Sequence, residues 1–427
     1  MKTTVNIGII GYGTVGSGVY HLIKNNSDPI ALRSGIELKI KTVCDLDLDR
    51  IKSEITDANV TDTWTDITGD PDIDIVVELI GGTEPASSII TESLKKGKNV
   101  VTANKKLLAE TGSELLGTVV ETGNSIGFEA AVGGGIPCIL SLKKGMVGNH
   151  IRSILGILNG TTNYILTRMT DDGVTFSDAL KDAQERGFAE ADPTFDVEGI
   201  DAGHKISILA MLSYGRAIDF SCIPIEGITD ISPLDISYAG DMGYTIKLLG
   251  IAKLINNRLD IRVHPTMIPG DHPLASVRNE FNSVMFDGDM TGAVILNGRG
   301  AGSLPTASAV VSDIVQLSSK KEFPGKFVGD AKVMGPEERV SRYYLRLYTE
   351  DSPGILSKIS GVLGKHDISI ASVIQKEVSE KYVPLIILTH DANESNMIKC
   401  IDEIESFDFV KDKVVFIRVE DFKEGEK

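Results

Sequence analysis

The chain is poor in cysteine, with four in 427 residues, and has one tryptophan. Cys44, Cys138, Cys222 and Cys400 are far apart, with no CxxC pair and no histidine cluster beside them. That argues against a disulfide scaffold and a zinc knuckle, and it fits a reducing, cytoplasmic setting. Positive charge is also short: 43 Lys and Arg against 60 Asp and Glu leave a formal charge of −17. No nonspecific grip on nucleic acid or on an anionic membrane is expected. Long apolar runs are missing, since VPLIIL at 383–388 falls far short of the ~18–20 apolar residues of a bilayer helix. The opening MKTTVNIGIIGYG lacks the charged and then apolar pattern of a secretory signal. What remains is a globular composition rich in turns, with 43 glycines against 15 prolines, long enough for two or three domains of ~100–200 residues each.

Residues 4–10 predict a buried strand, followed by a glycine turn and by Val15, Val19, Leu22 and Ile23 at helical spacing. Further strands are expected at 36–43, 73–80, 99–102 and 125–132, with helices over 84–97 and 104–122. Strands alternating with helices imply an α/β unit with a parallel sheet covered on both faces. Residues 25–35, NNSDPIALRSG, read as a loop inserted between the first helix and the second strand. From 136 to 297 the pattern becomes mixed, an α+β domain with a strand near 151–158, helices near 161–171, 177–186 and 196–213, and short strands through 260–296. The stretch KKEFPGKFVGDAKVMGPEERV suggests a linker over 319–342. Residues 343–427 then hold strands and helices in the order βαββαβ, the split βαβ unit of ferredoxin-like folds.

Gly11-Tyr12-Gly13-Thr14-Val15-Gly16 satisfies GxGxxG directly after a strand and at the mouth of a helix, the context of a Rossmann-type, doubly wound dinucleotide fold. Gly11 permits the turn, Gly13 admits a pyrophosphate and Gly16 lets helix meet strand, while the helix start offers free amides. Asp45, closing the second strand, is the candidate for the ribose hydroxyls and favours NAD, with NADP open. Gly81 and Thr102, beyond and at the ends of later strands, are assigned to the same cofactor site.

Three polar, glycine-rich segments suggest the chemistry: TANKK at 102–106, GILNGTTNY at 156–164 and GFAEADPTFDVEGIDAGHK at 187–205. Asp201 and Lys205 are four apart on a predicted helix and share a face, with Glu190 upstream. Such a cluster would grip an amino acid by its charged ends and polarise an oxygen, whereas a pair at that spacing taken alone is usually a solvated surface contact. With GYGTVG, VVTANKKLLA (100–109), FEAAVGGGIP (128–137) and GRGAGSLPTASAVVSDI (298–314), these segments resemble the homoserine dehydrogenases. The resemblance covers about residues 4–318 and implies NAD(P)-dependent exchange between L-homoserine and L-aspartate 4-semialdehyde, on the route to threonine, methionine and isoleucine.

Residue by residue, the resemblance makes Lys105 and Lys205 the catalytic or substrate-polarising lysines, with Lys105 also near the cofactor. Glu190 and Asp201 become substrate ligands, for the ammonium and hydroxyl in either order, with Asp196 in support and Gly160 and Thr161 lining the pocket. Thr161, after the Asn159-Gly160 turn, would equally serve as a helix cap. Glu129, Val132 and Gly134 match the family's sodium-binding loop. The 298–318 segment, with Gly302 toward the cofactor, is expected to return to the 1–135 domain and leave 136–297 as the catalytic and dimerisation domain. Cys138 invites comparison with a thiol nucleophile, yet no histidine lies beside it, and a buried small side chain is the expected role.

Residues 343–419 resemble an ACT domain, through DSPGIL at 351–356 and HDISI at 366–370. That resemblance implies an amino-acid effector, with L-threonine the expected feedback inhibitor, and pairing of modules in a homodimer or homotetramer. A module used for dimerisation alone, an aldehyde dehydrogenase working through Cys138, and a sensor without turnover are the competing expectations.

Overall fold

The computed structural model describes residues 4–319, 329–376 and 381–422. Its first layer is a parallel six-stranded sheet built from β1 (Thr4–Ile10), β2 (Glu37–Cys44), β3 (Asn59–Thr61), β4 (Ile75–Glu78), β5 (Asn99–Thr102) and β6 (Ile126–Gly127). The spatial order β3-β2-β1-β4-β5-β6 is the doubly wound arrangement, whose strand order reverses beside β1. Helices α1 (Thr14–Asn25), α2 (Ser27–Ser34), α3 (Leu48–Glu54), α4 (Thr65–Thr68), α5 (Ala86–Lys95) and α6 (Lys105–Thr122) connect the strands. The strands are nearly continuous apolar runs because both faces are covered.

The second layer begins after a short α7 (Cys138–Leu140) with β7 (Ile151–Ile157) and the helices α8 (Gly160–Asp172), α9 (Phe176–Glu185), α10 (Thr194–Val197), α11 (Ile200–Tyr214) and α12 (Pro233–Asp241). It continues with β8 (Tyr244–Ile255), β9 (Arg258–Pro269), β10 (Phe281–Gly288) and β11 (Gly292–Arg299), then α13 (Ser303–Ser319). The C-terminal module comprises β12 (Val340–Glu350), α14 (Ile355–Lys365), β13 (Ile370–Gln375), β14 (Tyr382–Thr389), a two-residue β15 (Ala392–Asn393), α15 (Glu394–Glu405) and β16 (Val410–Val419).

These two groups of strands form one sheet, in the order β11-β10-β7-β8-β9-β16-β12-β14-β13, with β15 pairing β12. The joint is parallel: Arg418 pairs with Thr266 and Val419 with Met267, and the Glu420 N–H donates to the Met267 carbonyl at 2.9 Å. The C-terminal module is therefore joined to the catalytic sheet by strand pairing as well as by the chain. The part of the expected linker at 320–328 lies outside the described residues, and the part from 329 onward is docked. The Ala331 N–H donates to the Ala217 carbonyl, the Met334 N–H to the Leu259 carbonyl, and Arg339 is buried against Asp260.

Helix α13 packs along α1, and Ala307, Val310, Val311 and Ile314 share a core with Ile7, Ile9 and Val19. Three local expectations change. Residues 27–34 are a helix, not a loop, because Asn26 ends α1 without extending the chain and Gly35, at φ +71°, closes a further helix of about two turns. The strand expected over 125–132 stops at Gly127, where the Asp313 carboxylate of α13 takes the Glu129 N–H at 2.7 Å and turns the chain. The twelve-residue β8 was not separated from its apolar surroundings by any alternation, since seven consecutive residues in it are buried.

Candidate active site

The glycine loop sits where strand β1 meets helix α1. Gly11 has φ +99° and backs onto the Leu79 carbonyl group, a conformation and a contact that a side chain would oppose. A Cβ on Gly16 would collide with the Gly11 carbonyl, whereas one on Gly13 would meet nothing within 4 Å. Gly13 and Thr14 are exposed at the helix start and Val15 is half-buried, so the free amides face outward. Asp45 is fixed beside them, its Oδ2 accepting the Tyr12 N–H at 2.6 Å and its Oδ1 the Asp47 N–H at 3.0 Å. Arg50 is held by Glu54 at 3.4 Å and over the Tyr12 ring at 5.8 Å.

The loop at 300–303 closes over this cradle from the far side of the sequence. Gly302 has φ +114°, and the Ser303 hydroxyl donates to the Thr14 carbonyl at 2.6 Å. Gly81 is exposed with φ +73° in the turn after β4. Thr102 is buried, and its hydroxyl donates to Glu78 Oε2 at 2.6 Å, so it supports the floor of the cradle. Glu78 is the residue that sequence reading passed over: its other oxygen takes the Ile80 N–H at 2.9 Å, and burial raises its pKa against the hydrogen bonds from Thr102 and the loop amides.

Two lysines from different layers meet on one carboxylate. Lys105 opens α6, placed there by Asn104, whose Oδ1 accepts the Leu107 N–H at 3.1 Å. Its Nζ pairs with Asp201 Oδ1, while Lys205, one turn further along α11, reaches Asp201 Oδ2 at 2.6 Å and the Leu158 carbonyl at 2.7 Å. Lys105 is partly exposed, whereas Asp201 and Lys205 are buried. Burial works against the Asp201 anion, but Lys205 and Lys105 outweigh it and hold the carboxyl well below the usual range. Burial lowers the Lys205 pKa, with Asp201 opposing.

Asn159, read in the sequence only as part of a turn, joins the remaining acids to this centre. It caps α8 by accepting the Thr162 N–H at 2.8 Å, and its amide nitrogen donates to Asp196 Oδ1 at 2.6 Å and Asp201 Oδ2 at 2.9 Å. Thr161 donates to Asp196 Oδ2 at 3.0 Å and to the Phe188 carbonyl at 2.7 Å, so Asp196 is occupied on both oxygens. Gly160, half-buried at the start of α8, leaves no room for a side chain against the Glu280 carbonyl. Glu190 is exposed in the 187–192 loop, not in contact with the triad. Asn282 is buried against Gly300 with no hydrogen-bond partner for its amide among the described residues.

Glu129 follows the cofactor sheet, and its carboxylate accepts the Ile139 and Leu140 N–H groups at 2.9 and 2.7 Å. With both oxygens so used, a cation in the Glu129, Val132 and Gly134 loop would rest on backbone carbonyls. No group of three His, Cys, Asp or Glu among the described residues is arranged to hold a metal ion. Cys138 is fully buried, and burial pushes its thiol up, the opposite of an activated nucleophile.

Comparison with known proteins covers nearly the whole chain. Residues 11–129 match the homoserine dehydrogenase NAD binding domain, 137–315 the homoserine dehydrogenase family, and 343–406 the ACT domain. A homoserine dehydrogenase of Neisseria gonorrhoeae is 41% identical over 97% of this chain and 98% of its own. The crystal structure of a homoserine dehydrogenase from Thiobacillus denitrificans superposes with a TM-score of 0.92 at 41% identity, covering 98% of each chain. A hyperthermophilic archaeal homoserine dehydrogenase in complex with NADPH is 29% identical, with a TM-score of 0.64 over 75% of this chain and 99% of that one.

Proposed function

The chain belongs to the homoserine dehydrogenase family, as an oxidoreductase with an NAD-binding domain and an ACT domain, and from that premise we propose that the lysine–aspartate–lysine centre interconverts L-homoserine and L-aspartate 4-semialdehyde. The observation that carries this reading is the meeting of Lys105, from the NAD-binding domain, and Lys205 on the one buried carboxylate of Asp201. A nicotinamide cofactor, when bound at the glycine loop, would supply or accept the hydride. Lys205 directs two of its protons at Leu158 and Asp201, which leaves one for the substrate oxygen as alkoxide charge develops. Its lowered pKa eases that proton's release. Lys105, at the exposed side of the centre, orients the same oxygen, and Glu190, exposed on the 187–192 loop, is assigned to the ammonium group. Asp196, with Asn159 and Thr161, holds the pocket in shape.

The cofactor is NAD or NADP, with NAD favoured by the fixed Asp45 carboxylate and by the commitment of Arg50 to Glu54. Residues 1–135 with 298–318 act as the cofactor unit, 136–297 as the catalytic and dimerisation unit, and 343–427 as the regulatory unit. Sodium on the carbonyls of Glu129, Val132 and Gly134 is a structural ion in this reading. L-threonine binds at the ACT loop, where Gly354 at φ +89° opens α14 and Gln375 reaches Asp351 at 3.2 Å. The edge strand β13 supports pairing with a second copy, giving a homodimer or homotetramer in the cytoplasm. No helix among the described residues is long and apolar enough to cross a membrane.

The test is the initial rate of NAD and NADP reduction with L-homoserine, with and without L-threonine, in the wild type and in Lys205→Ala. Turnover in Lys205→Ala is expected to fall by about 10²–10⁴ with NAD binding, read by fluorescence quenching, nearly intact. Wild-type rates in Lys205→Ala would remove the lysine from the chemistry, and no rate in folded wild type would return the chain to a sensor reading.

A further inference from the structure

Three arginines and three carboxylates are packed where the C-terminal module enters the catalytic sheet: Arg262, Arg339, Arg418, Asp260, Glu226 and Glu394. All except Glu226 are buried. Arg418, near the end of β16, donates Nε to Glu394 Oε1 at 2.8 Å and grips Glu226 with both terminal nitrogens, at 2.8 and 2.9 Å. A two-point guanidinium–carboxylate pair fixes direction as well as distance. Glu394, at the start of α15, is set in turn by Arg339, whose carbonyl accepts the Glu394 N–H at 3.0 Å.

Glu226 stands between this cluster and the substrate turn. Its N–H donates to the Val263 carbonyl of β9 at 2.8 Å, so residues 224–226 run along the same edge of β9 that receives β16. The next two residues touch the turn that carries the substrate acids. Gly227 lies against the Val197 carbonyl and the Glu198 backbone, where a Cβ would come within 2.6 Å of Glu198 Cα, and the Ile228 N–H donates to the Val197 carbonyl at 2.9 Å. On the other side, Gly199 at φ +82° sits beside the Glu226 carbonyl. Residues 197–199 are the turn between Asp196 on α10 and Asp201 on α11.

We propose that Glu226 and Arg418 are positioning residues for the substrate site: the last strand of the C-terminal module, by pairing Arg418 with both oxygens of the Glu226 carboxylate, sets the 226–228 segment and through it the spacing of Asp196 and Asp201. The pair touches neither substrate nor cofactor. It acts through the backbone of Gly227 and Ile228, so its loss widens the amino-acid pocket while the cofactor cradle, built on the other sheet, is untouched. This inference rests on the assignment of Asp196 and Asp201 to the substrate site.

The experiment uses the full chain. Glu226→Ala removes a partly exposed side chain and leaves Arg418 paired with Glu394, so the protein stays folded. The KM for L-homoserine is expected to rise about three- to tenfold, with kcat and the KM for NAD changing less than about twofold, the signature of lost ground-state binding. Glu226→Gln, which keeps an acceptor for Arg418, restores part of the loss. Lys376→Ala, which breaks the exposed Lys376–Asp241 pair at the same junction, leaves all constants unchanged. Hydrogen exchange gives a readout independent of turnover: the Ile228 amide loses protection in Glu226→Ala. Unchanged KM with unchanged Ile228 protection overturns the proposal, as does a parallel rise in both KM values with a fallen Tm. Absence of homoserine oxidation in the wild type strikes the functional reading instead, and the exchange result still decides the clamp.

Discussion

The two sheets are built by opposite rules. The parallel sheet takes its strands in one run from Thr4 to Gly127, and every crossover except the one from β3 to β4 joins neighbouring strands through a helix. The mixed sheet gathers β7 to β11 from the middle of the chain, skips α13, and then inserts β16 beside β9 by two paired residues. Cofactor-binding geometry therefore depends on short loops and left-handed glycines. Substrate-binding geometry depends on contacts between segments far apart in sequence, held by buried charge.

That contrast would be broken first at the junction of the two halves of the mixed sheet. Asp235 on α12 takes Arg346 Nε at 2.7 Å and the Tyr344 hydroxyl at 3.0 Å while sealing the capping box with Ser232. Asp235→Ala leaves a buried guanidinium unpaired, and a loss of about 3–5 kcal/mol in chemical denaturation is expected. A loss of under about 1 kcal/mol would mean that the C-terminal module is only loosely attached. The parallel sheet answers to smaller changes. Gly16→Ala drives a methyl into the Gly11 carbonyl and is expected to cost about 1–3 kcal/mol of stability along with cofactor affinity. Gly13→Ala, with open space around it, lowers cofactor affinity in calorimetry and leaves Tm unchanged. Equal Tm in both variants would show that the loop rearranges freely.

His204 sharpens the comparison by pH. Its ring is buried between Phe195 and Phe220, and burial lowers its pKa from 6.5 to about 4, with Asp201 opposing and the neighbouring lysines adding. Between those values the unfolded chain binds the extra proton, so this contribution is intact above about pH 6.5 and is lost as pH falls toward 4. His204→Phe is expected to make the fall in Tm over that window shallower by a few degrees, and an identical fall would assign the acid sensitivity elsewhere. The smallest effect belongs to Glu185→Ala, which breaks an exposed Lys181–Glu185 pair at 4.0 Å and shifts Tm by no more than about a degree.

Legibility followed the same division. GxGxxG after the first strand, the place of Asp45 at the end of the second and the strand–helix alternation were readable because each is a local pattern tied to a period or a turn. Asp201 and Lys205 were readable as a helical pair, but their junction with Lys105 joins residues 96 positions apart, which no local pattern records. Asn159 looked like a turn residue because its capping role is local, whereas its bridge to Asp196 and Asp201 appears only when α8 and α11 pack. The 25–35 segment misled because Ser, Asp and Pro mark helix starts as well as loops.

The sequence by itself determined the units, the glycine turns and the kinds of side chain available for hydride chemistry, because those follow from short-range sterics and apolar periodicity. Only the tertiary structure decided that the C-terminal module is an integral part of the catalytic sheet and that two lysines share one buried carboxylate. Those outcomes come from burying surface and pairing charge between distant segments, and such terms have no signature in any single stretch of chain.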